Sequence, residues 1–495
     1  MGVIKRGMAR LLPLIAPLLI LTLPGCDRRP DDAPMVVSVI GAAASLRDPA
    51  AGRMDMPARV LTDATAQGLV RFDAAGAIEP GLAERWIVTD GGRSYIFRLR
   101  DAEWDDGKQV TAAQVVESLR RTIAARSRTP LAPFLAVIDE IVEMTPQVIE
   151  VRLSRPRPDL LKLFAQPELA VVRRGGGTLS GSGPFRVAAG PAGWTRLRPG
   201  FDPTRGDEAE AEPAPSDMVM LRGERAGAAV LRFARHDSDL LLGGSFRDWP
   251  LLAAADVAPA NIRIDPASGL FGLAIVSREG LLAQVENRQA LAMAIDRPAL
   301  TARFRPEWQP VETLFPQRLD SAVAPTPPDW QAMEQEDRVI TARSRIAAWR
   351  RLNPQGNLTI RIALPADAGG NLIWGRVARD LIAIGLRPVR VAEQAEADLR
   401  LIDEVAPYDS GRWYLVTACR SCPEALMARI EAARDAPTLA ERARAIAAAD
   451  LALTDDGAYI PIAQPLRWSL VALRLRAWQE NNRAWHALTH LRRQQ

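Results

Sequence analysis

Histidine, lysine and cysteine are nearly absent from this chain of 495 residues, three of each, and tyrosine occurs only four times. So few histidines leave little from which to build an imidazole general base or a nickel site. Three cysteines exclude a disulfide scaffold, and none is needed at this length, because a long chain buries most of the surface its unfolded form exposes. Beyond residue 23 no stretch approaches 18 uninterrupted apolar residues, so nothing there reads as a membrane span. An excess of one charge is also missing. The net charge is +4, and three of those units come from Lys5, Arg6 and Arg10, in a start that holds no acidic residue. The near-neutral remainder gives no electrostatic reason to expect nucleic acid or an anionic membrane as partner. No internal repeat is found.

What is present is ordinary globular composition, 48% hydrophobic and 25% charged, at a length that means two or more domains. Positive charge after the start is almost wholly arginine, with Lys108 and Lys162 the remaining lysines. We read that bias as base composition, so arginine abundance alone nominates no site.

The basic start leads into Leu11 to Leu23, broken by Pro13 and Pro17, and then into Leu23-Pro24-Gly25-Cys26. A stretch this short is an export signal and a poor membrane span. Its end resembles a bacterial lipobox, in which the cysteine is lipidated and becomes the new N-terminus. On that reading residues 1–25 are a lipoprotein signal peptide, Cys26 carries the lipid, and 26–34 is a tether. An ordinary secretory signal with a coincidental cysteine is the alternative.

Met35 to Ile40 is an apolar run of strand length, and Ser94 to Arg100 places Tyr95, Phe97 and Leu99 on one face. Thr111-Ala112-Ala113-Gln114 is a capping box, followed by Val115, Val116, Leu119 and Ile123 at helical spacing. Further strands are read at Val148 to Leu153, Phe185 to Val187 and Met218 to Leu221, and Pro199 to Asp217 is an exposed connection. Gln284 to Leu300 is helical. Leu358 to Leu364, a helix carrying Ile373, Val377, Leu381 and Ile384 and stopped by Gly385, and Arg387 to Val391 make a β-α-β unit. Thr438 to Glu441 opens a long helix predicted to stop before Asp455-Asp456-Gly457.

The most specific pattern is Glu79-Pro80-Gly81-Leu82-Ala83-Glu84-Arg85-Trp86, then Tyr95 to Arg100, then Asp106-Gly107-Lys108-Gln109-Val110-Thr111-Ala112. Ser182-Gly183-Pro184-Phe185, Arg288-Gln289-Ala290-Leu291 and Ala294-Ile295-Asp296-Arg297 follow in order. Together these resemble the extracytoplasmic solute-binding proteins of ABC importers, the oligopeptide- and dipeptide-binding family (family 5). The resemblance implies an α/β fold, a two-lobed periplasmic binding protein (type II-like) with a hinge and an extra subdomain in the N-terminal lobe. We expect the N-terminal lobe at 35–260, its inserted subdomain at about 73–178, the C-terminal lobe at 261–460 and a return segment at 461–495, with crossings near Pro259 to Pro266 and Tyr459 to Pro465. It also implies a non-enzymatic, monomeric protein without cofactor. Such a protein captures a peptide or similar small solute and delivers it to membrane permease subunits, held at the membrane by its lipid.

Cleft residues in such a fold belong where strands end and loops begin. That places Ser45 and Arg47 after the first strand, and Gly244, Ser245 and Phe246 after Leu240 to Leu242, as candidates; plain turns are the alternative. Ala406 to Trp413 resembles the segment with which peptide-binding members meet the ligand's amino end, although their full aspartate-tyrosine-proline pattern is not kept. Glu404, Tyr408, Asp409, Arg412 and Trp413 are therefore candidate anchors, against the reading of a solvated loop. Cys419 and Cys422 read as a local disulfide, since a tetrahedral zinc site wants four ligands and no second cysteine pair exists. His486 and His490 are assigned to the tail and not to a metal. A binder of nickel complexes, sugars or opines, a sensory lipoprotein and an extracytoplasmic hydrolase remain as rival readings. No motif sets a nucleophile, histidine and carboxylate in order for the last of these.

Overall fold

The computed structural model describes Gly2 and residues 29–157, 159–175, 177–200 and 212–491. Cys26, the expected lipidation site, and all but Gly2 of the expected signal peptide lie outside the described residues, as does most of the acidic connection expected at 199–217.

Two mixed sheets organise the chain. The first has seven strands in the order Phe185–Ala188, Thr195–Pro199, Val219–Glu224, Met35–Ile40, Leu240–Ser245, Arg467–Val471 and Ile262–Asp265. Met35–Ile40 lies at its centre, parallel to both neighbours. Five of its six residues are buried, as expected of an apolar strand covered on both faces. The second sheet has five strands, Arg387–Val391, Thr359–Ala363, Leu399–Val405, Gly269–Ile275 and Tyr459–Ala463. Each sheet is the floor of one lobe.

A separate four-stranded antiparallel sheet, Ala83–Thr89, Ser94–Leu99, Val148–Leu153 and Ile138–Thr145, forms the subdomain of the first lobe. Tyr95, Phe97 and Leu99 are buried on one face while Arg98 is exposed, because alternate residues of a strand point oppositely. The turn and helix that follow are tied reciprocally. Gln114 N–H donates to Thr111 Oγ1, and Gln114 Oε1 accepts from Thr111 N–H at 3.1 Å and from Trp104 Nε1 at 2.9 Å. Trp104 is buried by this bond and Trp86 half-buried.

The chain leaves the first sheet at Asp265 and enters the second at Gly269, then leaves the second at Ala463 and re-enters the first at Arg467. These two passages lie side by side. Gln464 accepts from Gly269 N–H at 3.0 Å, and Arg467 of the first sheet donates to Asp403 of the second at 2.8 Å.

Some boundaries differ from the sequence reading. The helical stretch expected at Gln284 to Leu300 is two helices, Val285–Ala294 and Arg297–Thr301, the second capped by Asp296 accepting from Ala299 N–H at 3.0 Å. The long helix is Leu439–Asp456, two residues longer than expected, since the acidic pair is taken up before Gly457, left-handed at φ 67°, ends it. His486 and His490 each have a carboxylate distant in sequence: Nε2 of His486 lies 3.0 Å from Asp265 and Nε2 of His490 lies 2.8 Å from Glu79. Those contacts fasten the return segment to the first lobe. Among the described residues no cluster of His, Cys, Asp and Glu could hold a metal, and no helix is long and apolar enough to cross a membrane.

Candidate functional site

The central strand of the second lobe, Leu399–Val405, ends at the boundary between the lobes, and the loop from Ala406 to Ser410 runs along that boundary. The loop is shaped from behind by its own lobe. Asp320 accepts from Gly411 N–H at 2.7 Å, from Ser410 Oγ at 2.9 Å and from Arg442 Nη2 at 3.0 Å. Gly411 packs so tightly that a Cβ there would lie 2.7 Å from Ile446 and 3.0 Å from Phe315. A larger residue would push the helix Gly411–Ala418, and the loop with it, away from the lobe.

From the first lobe, two cations reach this loop. Lys162 Nζ and Arg483 Nη2 both donate to the carboxylate of Asp409, one from the subdomain side and one from the return segment. Burial alone would raise that carboxyl, but Arg483 and Lys162 outweigh it and hold Asp409 below the usual carboxylate range. Neighbouring contacts continue across the boundary. Gln166 Nε2 donates to Pro407 O at 2.7 Å, Arg157 Nη2 to Arg434 O at 2.8 Å, Arg412 Nη1 to Pro133 O at 3.2 Å, and Arg155 pairs with Asp435 at 3.1 Å. The rings of Phe134 and Tyr408 meet edge-on with centroids 5.6 Å apart. The lobes are therefore closed on one another.

Between them remains a small cavity, open on one side, with room inside for about one water-sized sphere. The first lobe contributes Phe134, Arg157, Asp159, Leu160 and Leu163; the second contributes Asp320, Tyr408, Ser410 and Arg442. Burial pushes the Tyr408 hydroxyl up to about 12, so it stays protonated and able to donate. Burial also raises the carboxyl of Asp159 against the pull of Lys162, 3.4 Å away. The lining sets hydrogen-bonding and charged groups beside the apolar side chains of Phe134, Leu160 and Leu163.

The candidate anchors fall into distinct places. Tyr408 lines the cavity, Asp409 joins the lobes beside it, and Arg412 is buried against Phe134, its guanidinium carbon 5.8 Å from the ring centroid. Trp413 points instead into its own lobe, packed edge-on against Tyr414 at 4.9 Å. Glu404 faces Arg53 at 3.6 Å and Arg420 at 3.7 Å, on the rim. Ser45 and Arg47 are exposed and 3.4 Å from each other. Gly244 serves packing: a Cβ there would lie 2.3 Å from the indole of Trp468, whose Nε1 donates to Ser245 O at 2.9 Å. Phe246 is fully buried against Phe271 and Phe304. The 244–246 turn thus meets the second lobe near the hinge, away from the 406–410 loop. Cys419 and Cys422 are joined to each other, with Cα atoms 5.5 Å apart, just beyond the helix that carries Trp413.

Sequence reasoning did not nominate Phe134, Arg157, Asp159, Lys162, Asp320, Arg442 or Arg483. Most carry no local signal, since their partners are up to several hundred positions away. Lys162 carried one: it is one of two lysines after the start of an arginine-rich chain.

Residues 77–339 match the family described as bacterial extracellular solute-binding proteins, family 5 Middle. Among curated relatives, a probable deoxycholate-binding periplasmic protein of Escherichia coli K12, YgiS, is 31% identical over 121 residues, 21% of this chain and 23% of that protein. The periplasmic murein peptide-binding protein MppA of the same organism is 24% identical over 315 residues, 57% of each. The chain matches little more than half of these relatives' length at most. In structure, Haemophilus influenzae OppA in complex with RPPGFSPFR superimposes with a TM-score of 0.76 at 16% identity, covering 93% of this chain and 99% of that one. One structure of E. coli MppA gives 0.75 at 21% identity, covering 91% and 96%. Against the unliganded open form of MppA the score falls to 0.65 over the same coverage, at 22% identity, in keeping with lobes that touch. With a family match over more than half its length and a fold shared over nine-tenths of it, the chain belongs to the bacterial extracellular solute-binding proteins of family 5.

Proposed function

We propose that this chain is the periplasmic, lipid-anchored solute-binding component of an ABC importer. It captures a peptide or similar small solute between its lobes and delivers it to a membrane permease, acting as a monomer without cofactor and without catalysis. The observation that carries the reading is the cavity walled by residues of both lobes and bordered by charged groups that bridge them. A solute touching both walls favours closure only through contacts it makes in the closed state, and that differential is the source of the response. Membership of family 5 and the binding proteins among its relatives support the same reading. Those relatives carry names as different as deoxycholate-binding and murein peptide-binding, so they do not single out one solute.

A thermal-shift screen of the mature chain against peptides, amino acids, sugars, bile acids and metal complexes tests it. One-site binding at 100 times Kd adds about 2.7 kcal/mol of stability, which is visible in a melting curve. Hydrolysis of a screened solute, with no shift by any of them, would overturn the reading. Replacing Cys26→Ala and fractionating cells tests the anchor: the wild type is expected with membranes and the variant in the soluble fraction. An adjacent permease and ATPase in the genome favours import over a sensory role.

A further inference from the structure

The segment that precedes the first strand is bound to the body by one side chain. Arg474 follows Arg467–Val471 of the first sheet, and its side chain is 8% exposed. Its Nε donates to Asp239 Oδ1 at 2.8 Å and its Nη2 to Asp239 Oδ2 at 2.6 Å. Nη2 also donates to Pro34 O at 3.0 Å, and Nη1 donates to Pro30 O at 2.9 Å and to Ala33 O at 3.2 Å. A guanidinium has five N–H donors, and here every one has an acceptor. The Asp239 carboxylate, 2% exposed, also accepts from Val36 N–H in the central strand at 2.8 Å and has Arg29 Nε 3.6 Å away. Ala33 N–H donates to Pro30 O at 3.1 Å, closing a turn just before Pro34. Residues 30–34, which the sequence reading gives to a tether, are thus held against the folded body.

This segment emerges at one end of the first sheet. Leu240 faces Val471 and Ser245 faces Arg467 across two antiparallel strands, and the passages to the second lobe leave from Asp265 and Arg467. Asp239 and Arg474 lie at the opposite end, a strand's length of about 20 Å away. We infer that this end of the first lobe is the surface that meets the lipid bilayer, that the Arg474–Asp239 pair shortens the leash to residues 26–29, and that the second lobe stands outward, free to swing. The inference rests on the lipid anchor at Cys26 proposed above. From Cys26 to Arg29 an extended chain spans at most about 11 Å, whereas a leash running to Met35 would reach about 30 Å. A lipid on the shorter leash keeps the exit at the headgroups. Exposed charges beside the exit are of both signs, Asp31, Asp32 and Asp237 with Arg235 and Arg476, so the leash and not a field of one sign sets the contact. Leu473, half-exposed beside Arg474, adds an apolar contact. Lying flat would bring the second lobe to the membrane as well, and a near-neutral chain offers no attraction to hold it there.

Two measurements test this on the mature chain. The first uses protein made without lipid and the endoproteinase that cuts before aspartate. The wild type is expected to resist cutting before Asp31 and Asp32, Arg474→Gln to be cut there at least tenfold faster, and Arg474→Lys, with fewer donors, to fall between. Equal rates in wild type and Arg474→Gln overturn the role given to Arg474. The second uses lipidated protein in vesicles of phosphatidylethanolamine and phosphatidylglycerol carrying a headgroup nitroxide. A fluorophore at Asp237→Cys, near the exit, is expected to be quenched at least twofold more than one at Glu396→Cys, which precedes the second-lobe strand Leu399–Val405 at its end away from the first lobe. Arg474→Gln is expected to halve the quenching at 237 while the protein stays on the vesicles. Equal quenching at 237 and 396, or more at 396, overturns the orientation. If Arg474→Gln does not fold, the wild type's resistance to cutting and its ratio of quenching at 237 to that at 396 decide. Wild type found free of membranes in cells sinks the anchor and this orientation together, whereas membrane-bound protein unquenched at 237 sinks the orientation alone.

Discussion

Removing the charge of Asp409 should open the protein. This carboxylate belongs to the second lobe, and both of its cations belong to the first, so Asp409→Asn acts on closure before it acts on local stability. A charge-assisted hydrogen bond is worth about 1.5–3 kcal/mol. The Lys162 and Asp409 side chains are each 27% exposed, so screening by solvent puts their bond at roughly 1 kcal/mol. Arg483 is 3% exposed and would keep only Ala406 O as acceptor, which places its bond at about 2 kcal/mol. Together these shift the balance of closed to open forms by about 3 kcal/mol, or roughly 150-fold. Lys162→Met removes only the first bond and shifts it about fivefold. Small-angle scattering on the unliganded protein reads the opening as a larger radius of gyration, and urea melts of both single variants and the double variant give the coupling. Coupling near 1 kcal/mol is expected between residues 162 and 409. The pH dependence follows from the sign of the shift. Asp409 is held below its unfolded value, so its stabilisation is complete above about pH 4 and disappears as pH falls through the lower folded value. Unchanged dimensions in Asp409→Asn, with coupling under about 0.3 kcal/mol, would refute the idea that this pair of bonds holds the lobes together.

Other perturbations have defined outcomes. Alkylation of exported, unreduced protein should find no free thiol at Cys419 or Cys422, and reduction should cost at most about 2 kcal/mol because the closed loop is so short; two alkylatable thiols would contradict the pairing. Asp248 is raised to about 6, by burial first and then by Asp367. The folded state therefore binds the extra proton between about pH 4 and 6, and stability should fall as pH rises through that window. Asp248→Asn should flatten that slope and raise the melting temperature at pH 7, as read by calorimetry. Gly411→Ala should destabilise by roughly 1–3 kcal/mol, since its Cβ meets Ile446 and Phe315; a neutral effect on the urea midpoint would show that the helix has room to shift.

What was legible in the sequence was what local geometry writes into it. Alternation at Tyr95, Phe97 and Leu99, the reciprocal cap of Thr111 and Gln114, and the stop at Gly385, where φ is 91°, depend on residues a few positions apart. The site depends on distance in sequence. Lys162 and Asp409 are separated by 247 positions, and which strand neighbours which in the seven-stranded sheet is not encoded by any period. The family-like segment after Leu399–Val405 brings Tyr408 and Asp409 to the boundary between the lobes. The expectation that cleft residues sit at strand ends nominated Gly244 and Phe246, where the glycine admits the indole of Trp468 and the ring packs between lobes. A glycine after a strand signals close approach, and sequence does not say whether the approaching group is a solute or a tryptophan.

The paired passages between the sheets have a mechanical meaning. Ile262–Asp265 and Arg467–Val471 are bonded as an antiparallel ribbon on one side, and Gly269–Ile275 and Tyr459–Ala463 as another on the far side. Two ribbons joined by two short parallel straps behave as a door on a double-leaf hinge: bending across the straps is soft, while twisting or sliding would strain both at once. The second lobe is also one uninterrupted stretch of chain whose two ends emerge together. It can be treated as a cassette inserted into the first lobe, so that exchanging it, or placing a fluorescent domain at its ends, should report or reroute a swing whose direction the hinge has already chosen.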